Sequence, residues 1–99
     1  MVDLTTTLGT AVFDAPVFTA SGCAAAGREL DAFFDITTIG GIVTKSIMMA
    51  PRSGRATPRM AETPSGMLNS IGLQGPGIES FGADDLAWLR ERGARVIVS

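Results

Sequence analysis

A lysine closing an apolar run, an asparagine set among glycines and a few serines beside small residues are the groups in this chain best suited to chemistry. Lys45 directly follows Gly-Gly-Ile-Val-Thr at 40–44, so its stem starts in apolar surroundings while its ammonium can reach a rim. There it could meet a carboxylate or phosphate; the plain alternative is a lysine leaving a strand for water. Asn69 lies in "ETPSGMLNSIGLQGPG", residues 62–77, with four glycines and two prolines. Its planar amide offers donors and an acceptor, a match for the edge of a flat heterocycle or for an ordinary turn. Met67, Ile71 and Leu73 supply either a pocket lining or core. Ser21 and Ser46 carry hydroxyls beside small residues that would let a flat ring approach, or they serve turns.

Composition removes several kinds of chemistry. The 99 residues contain one cysteine, Cys23, and no histidine. An internal disulfide, a Cys/His zinc site and a histidine base are therefore excluded within these residues. A net charge of −2 gives no general attraction for nucleic acid or anionic membrane. Arg52, Arg55 and Arg59 make a local basic cluster, read either as an anion-binding or docking loop or as a solvated one. No stretch is long and apolar enough for a membrane span, and the start lacks a signal-peptide pattern, so a soluble, cytoplasmic protein is expected. Gly72, Gly75 and Gly77 do not have the dinucleotide-binding spacing, and there is no P-loop or nucleophile elbow.

The elements that must position these residues follow from periodicity. Residues 4–13 hold two β-prone runs split by Gly9-Thr10, a hairpin signal. Val17–Thr19, Gly41–Thr44 and the closing "ARVIVS" read as buried strands. Leu30, Phe33 and Phe34 share one helical face, as do Phe81, Leu86 and Leu89, with Asp84 a candidate N-cap and Gly93 a stop. Residues 47–77 read as irregular, too poorly alternating for strands and too rich in breakers for a helix. An unstructured stretch of this length is expected to be functional. The order is βαβαβ, an α/β fold with parallel strands whose carboxyl ends carry function. Those ends are Ala20-Ser21-Gly22, Thr44-Lys45-Ser46 and Ser99.

Taken together, "ASG" at 20–22, "GGIVTKS" at 40–46, "PR" at 51–52 and 58–59, and the 62–77 stretch resemble class 1 dihydroorotate dehydrogenases, best the B-type catalytic subunits. The resemblance runs in order through the chain. It implies the N-terminal part, about three βα units, of a (β/α)₈ TIM barrel preceded by a short β-hairpin, with 1–99 a partial FMN-binding domain. It implies oxidation of dihydroorotate to orotate in pyrimidine biosynthesis, a base removing one proton while hydride passes to FMN. By this resemblance Ala20, Ser21, Lys45, Ser46 and Ser99 are FMN contacts. Lys45, Asn69, Ser70, Ile71, Gly72 and Leu73 are substrate contacts.

The B type further implies a partner subunit with FAD and an iron–sulfur cluster, in a heterotetramer; the A type, a homodimer using fumarate, remains open. So do a dihydropyrimidine dehydrogenase-like barrel and a non-catalytic partial-barrel module. Two departures stand out: "CAAAG" at 23–27 where the family has an aromatic, glycine-rich turn, and Gly75 where it has asparagine. Cys23 does not match the family's catalytic Cys or Ser, which is expected beyond Ser99. Since such a barrel needs about 250 residues, the 99-residue chain alone is expected to be inactive, to bind FMN poorly and to expose an apolar sheet edge.

Overall fold

The expected N-terminal hairpin forms in the computed structural model, which describes residues 1–99. Strands β1 (Thr6–Leu8) and β2 (Ala11–Phe13) pair antiparallel across Gly9-Thr10, with Gly9 at φ 61°. Phe13 is buried and meets the Phe18 ring edge-on at 4.9 Å.

The three expected parallel strands also lie side by side, although shorter than their apolar runs. Phe18 bridges Gly41 in parallel, and β3 (Ile42–Val43) pairs parallel with β6 (Val96–Ile97). Only the middle strand carries a fully buried residue, Ile42; Val43, Val96 and Ile97 are half-buried. The glycine pair at 40–41 is explained by close backbone as well as by Phe18: a Cβ on Gly40 would run into Ala15 O, and one on Gly41 would sit 3.1 Å from Arg95 O and 3.2 Å from the Phe18 ring. Thr19 stitches the first strand to β3, its Oγ1 accepting from Val43 N at 2.9 Å. The chain is thus mixed α/β.

Helical segments cover one side of this sheet. Helix α1 (Arg28–Asp31) is a single turn, followed by a 3₁₀ turn at Ile36–Thr38. Then α2 (Ile78–Phe81), a π turn (Gly82–Leu86) and α3 (Ala87–Arg92) run without a break. Ile36, Ile42 and Leu89 form the core cluster, with Leu30, Trp88 and Val96 packed against it. Gly93, at φ 81°, stops α3 as expected, its N–H returned to Arg90 and Leu89 carbonyls.

Three expectations are corrected. The face through Leu30, Phe33 and Phe34 does not form a helix beyond Asp31: Leu30 packs on the core, but Phe33 is 86% exposed. A helix of that length depends on burying its apolar stripe, and these residues offer no second surface for Phe33. Asp84 is not an N-cap, because the helix continues through it in π geometry; its carboxylate instead meets Arg28 at 2.7 Å. Finally, 47–77 is not wholly irregular. Strands β4 (Met60–Thr63) and β5 (Gly66–Asn69) form an antiparallel hairpin around Pro64-Ser65. Almost every residue of this hairpin is exposed, so the pairing rests on the backbone ladder and the tight turn, leaving no buried alternation to read.

The core is small for the chain. The radius of gyration is 16.0 Å, against about 13 Å for a compact domain of this length. Val17, Met49, Met67, Leu68 and Leu73 are all more than half exposed. No helix is long and apolar enough to cross a membrane.

Candidate functional site

Lys45 owes its position to the end of the parallel pair. Ile42 N donates to Arg95 O at 2.8 Å and Thr44 N to Ile97 O at 3.0 Å, carrying the ladder one residue past β3. Thr44 is buried, and its Oγ1 accepts from Ser99 N at 3.2 Å. The next amide, Lys45 N, turns away from β6 and donates to Ala25 O at 3.2 Å. Lys45 is thereby held half-buried at the strand's carboxyl end, its backbone fixed on one side by the sheet and on the other by the 24–27 turn. Ser46 follows, its Oγ 3.0 Å from Ser99 Oγ, while Ile47 N closes on Ser99 O at 2.8 Å.

The glycine-rich loop after β5 is held by the arginine-bearing segment rather than by its own side chains. Arg52 and Gly75 exchange both backbone hydrogen bonds, at 2.9 and 2.8 Å. Arg55 N donates to Ile71 O at 2.7 Å, and Ser70 N to Arg59 O at 2.8 Å. The Arg59 guanidinium donates to the carbonyls of Ser53 and Arg55, at 3.4 and 3.3 Å. Contact this close requires glycine: at Gly54, with φ +80°, a Cβ would sit 2.5 Å from Ile71 O. Leu73 has φ 59°, a left-handed conformation that a branched side chain resists, and it is 65% exposed. Gly75 is not left-handed and a Cβ there would make only an ordinary contact with Met48, so the loop accommodates a side chain at this position.

The two assemblies face each other across a cleft of about 600 Å³ lined by Gly22, Lys45 and residues 69–74. Lys45 and all five expected substrate-loop residues, Asn69, Ser70, Ile71, Gly72 and Leu73, therefore share one concavity, though they are far apart in sequence. Lys45 also lines a neighbouring cavity of about 200 Å³, with Ser46, Ala25, Gln74 and Asp85. The other expected contacts are less tightly gathered. Ser46 and Ser99 pair with each other beside the 600 Å³ cleft without lining it. Ala20 and Ser21 are exposed, and it is the next residue, Gly22, that reaches the cleft.

Sequence reasoning missed Gln74 in the cleft wall, and Gly54 and Arg59 in the frame behind the loop. Gln74 lies in the 62–77 stretch that the sequence singles out, but is given no role of its own there. Of the two readings of the arginine cluster, neither covered its actual part, which is played largely by backbone groups. Charge is concentrated elsewhere. The Arg92 guanidinium hydrogen-bonds Asp31 and holds its carboxyl below the usual range, opposed by partial desolvation; Asp35 is lowered chiefly by the Thr37 hydroxyl.

A rim lysine and a framed glycine-rich loop lining one cleft make this an α/β protein with a candidate binding cleft. Comparison with known proteins makes this specific. The family model for dihydroorotate dehydrogenase matches residues 3–99, and the chain belongs to that family. It is 52% identical over 77 residues to the catalytic subunit of dihydroorotate dehydrogenase B (NAD(+)) of Latilactobacillus sakei, covering 78% of this chain and 25% of that one. The corresponding subunit of Alkaliphilus oremlandii is 49% identical over 84 residues, 85% of this chain and 28% of that one. That of Bacillus cytotoxicus is 45% identical over 84 residues. The chain spans about a quarter of the length of the curated relatives it matches.

Proposed function

We propose that residues 1–99 are part of an FMN-binding (β/α)₈ barrel, about three βα units behind a short hairpin, in a soluble cytoplasmic oxidoreductase. This enzyme oxidises dihydroorotate to orotate in pyrimidine biosynthesis. Family membership and the names of the relatives support the reaction. The observation that carries the site is the single cleft shared by Lys45 and residues 69–73. The parallel order of Phe18, β3 and β6, with Lys45, Ser46 and Ser99 together at their carboxyl ends, supports the barrel portion.

Open space where a Cβ on Gly22 would stand and the exposed Ser46–Ser99 hydroxyl pair support a flavin, by leaving room and polar groups for its ring. Ala20, Ser21, Lys45, Ser46 and Ser99 would hold FMN, which when bound supplies the acceptor for hydride. Orotate carries a carboxylate and amide edges on a flat ring. In this reading Asn69 reads an amide edge, backbone N–H groups near Gly72 meet the carboxylate, and the Lys45 ammonium compensates negative charge on substrate and ring. Leu73 and Ile71 would cover one face of the bound ring. The base that removes the substrate proton is supplied from outside these residues. The name "catalytic subunit" on the relatives supports a partner subunit, which we assign to FAD and iron–sulfur electron transfer toward NAD.

Orotate titration of the oxidised holoenzyme tests this reading. Orotate is expected to perturb the flavin spectrum, uracil to do so far more weakly, Lys45→Ala to weaken orotate about tenfold or more, as for losing a hydrogen bond to a charged group, and Asn69→Ala to weaken it about two- to tenfold, as for losing a neutral one. Equal binding of uracil and orotate would refute the carboxylate assignment and favour a reduced-pyrimidine substrate without it.

A further inference from the structure

The turn that receives the Lys45 amide is itself strained and clamped from outside the cleft. Ala25 has φ 46°, a left-handed conformation that alanine resists, and its carbonyl is the acceptor for Lys45 N. Gly27, at φ 89°, then turns the chain against Ile42, where a Cβ would sit 3.4 Å from that side chain. The next residue is Arg28. Its Nε donates to Asp85 Oδ1 at 3.0 Å and its Nη2 to Asp84 Oδ1 at 2.7 Å, while the guanidinium lies 4.8 Å from the Trp88 ring centroid. Consecutive helix residues do not normally face one partner. Here they lie in the π turn, and the flat fork of Arg28 spans both carboxylates. Asp85 lines the same 200 Å³ cavity as Ala25 and Lys45, so the clamp closes on the segment that sets the lysine's height.

We propose that Arg28 is a positioning residue for Lys45, acting through Asp84 and Asp85 in the π turn. The ion pairs hold the 24–27 turn in its left-handed conformation, and the turn's carbonyl holds the Lys45 backbone at the rim. The inference deepens the functional reading above and rests on it for its catalytic consequence. A π turn in this place then has a use, since such turns collect at functional sites.

The test compares wild type, Arg28→Ala and Arg28→Lys as full-length holoenzymes. Amide hydrogen exchange is followed at Lys45, Ile42 and Thr44, alongside anaerobic flavin bleaching by dihydroorotate. Arg28→Ala is expected to speed exchange at Lys45 about tenfold while Ile42 and Thr44, bonded toward β6, stay within about twofold, because the opening is local. Bleaching is expected to slow about tenfold or more from misplacement of the ammonium, with flavin content unchanged and Arg28→Lys restoring part of both. Lys45 exchange that is unchanged, or that rises together with Ile42 and Thr44, overturns the proposal. So does a loosened Lys45 with a wild-type bleaching rate. If wild-type flavin ignores dihydroorotate, the functional reading fails instead, and the exchange comparison still decides whether Arg28 holds Lys45.

Discussion

Replacing Gly54, which does not itself line the cleft, by alanine should weaken substrate binding by pressing on the backbone of the loop that does. Gly54 has φ +80°, and its added Cβ would stand 2.5 Å from Ile71 O and 3.2 Å from Arg59 Nη1. Holding alanine in the left-handed region costs about 1–2 kcal/mol. Relief of the clash pushes Ile71 O away from Arg55 N, now at 2.7 Å, which forfeits about 1 kcal/mol of hydrogen bond. The sum, about 2–3 kcal/mol, falls on the docking of the 69–73 loop. At about 1.4 kcal/mol per tenfold, orotate affinity should drop roughly 30- to 150-fold. The assay is orotate titration of the oxidised holoenzyme's visible spectrum, with flavin content measured in parallel. Flavin content should hold, because Lys45 and the strand ends are anchored to β6 and Ala25 rather than to this loop. Orotate affinity within about twofold of wild type, smaller than one lost hydrogen bond, would refute the claim that the arginine-bearing segment frames the substrate loop.

Further outcomes follow from other parts of the structure. Gly82→Ala, where φ is −64° and a Cβ meets nothing within 4 Å, should leave orotate binding alone and raise thermal stability by about 1 kcal/mol or less, the gain of alanine over glycine in a helix. Asp31 titrates lower folded than unfolded, chiefly through Arg92, so the unfolded state binds more protons between the two values and stability rises with pH there. Its contribution is complete above the unfolded value near 3.8 and is lost as pH falls through the lower folded one. Asp31→Asn should flatten that acid limb in thermal melts across pH, and an unchanged limb would remove Asp31 from the account. The isolated 99-residue chain, with its exposed Val17, Met67, Leu68 and Leu73, should self-associate in light scattering, whereas a monodisperse monomer would show that its surface needs no further cover.

Much of the fold was legible because its signals are local. Gly9-Thr10 between β-prone runs, the apolar Gly41–Thr44 run and Gly93 after Arg90 and Arg92 each answer to a backbone rule that operates within a few residues. What escaped was decided at longer range. The β4–β5 hairpin is exposed on both faces, so nothing in its hydrophobic pattern marks it. Phe33 has helical spacing with Leu30 but no surface to bury against. Asp84 looks like a helix start by type, yet Arg28, far away in sequence, claims its carboxylate. At the candidate site, residue type and neighbours singled out Lys45 and Asn69 but left the plain alternatives open, and it was the family resemblance that gave them roles, whereas Gln74 and the frame of Gly54 and Arg59 depend on the 49–59 segment lying alongside 70–78. Their arginine charges drew notice, but their backbone groups do most of the positioning.

The central claim is that Lys45 and the 69–73 loop face one cleft that handles dihydroorotate beside a flavin. It is tested most directly by adding dihydroorotate anaerobically to the full-length holoenzyme and following the flavin absorbance, with Lys45→Ala beside wild type. Bleaching in wild type, slowed about a hundredfold or more in the variant as for loss of a preorganised charge at the reacting centre, is the predicted result. A flavin that dihydroorotate leaves oxidised, or a Lys45→Ala variant that bleaches at the wild-type rate, would contradict it.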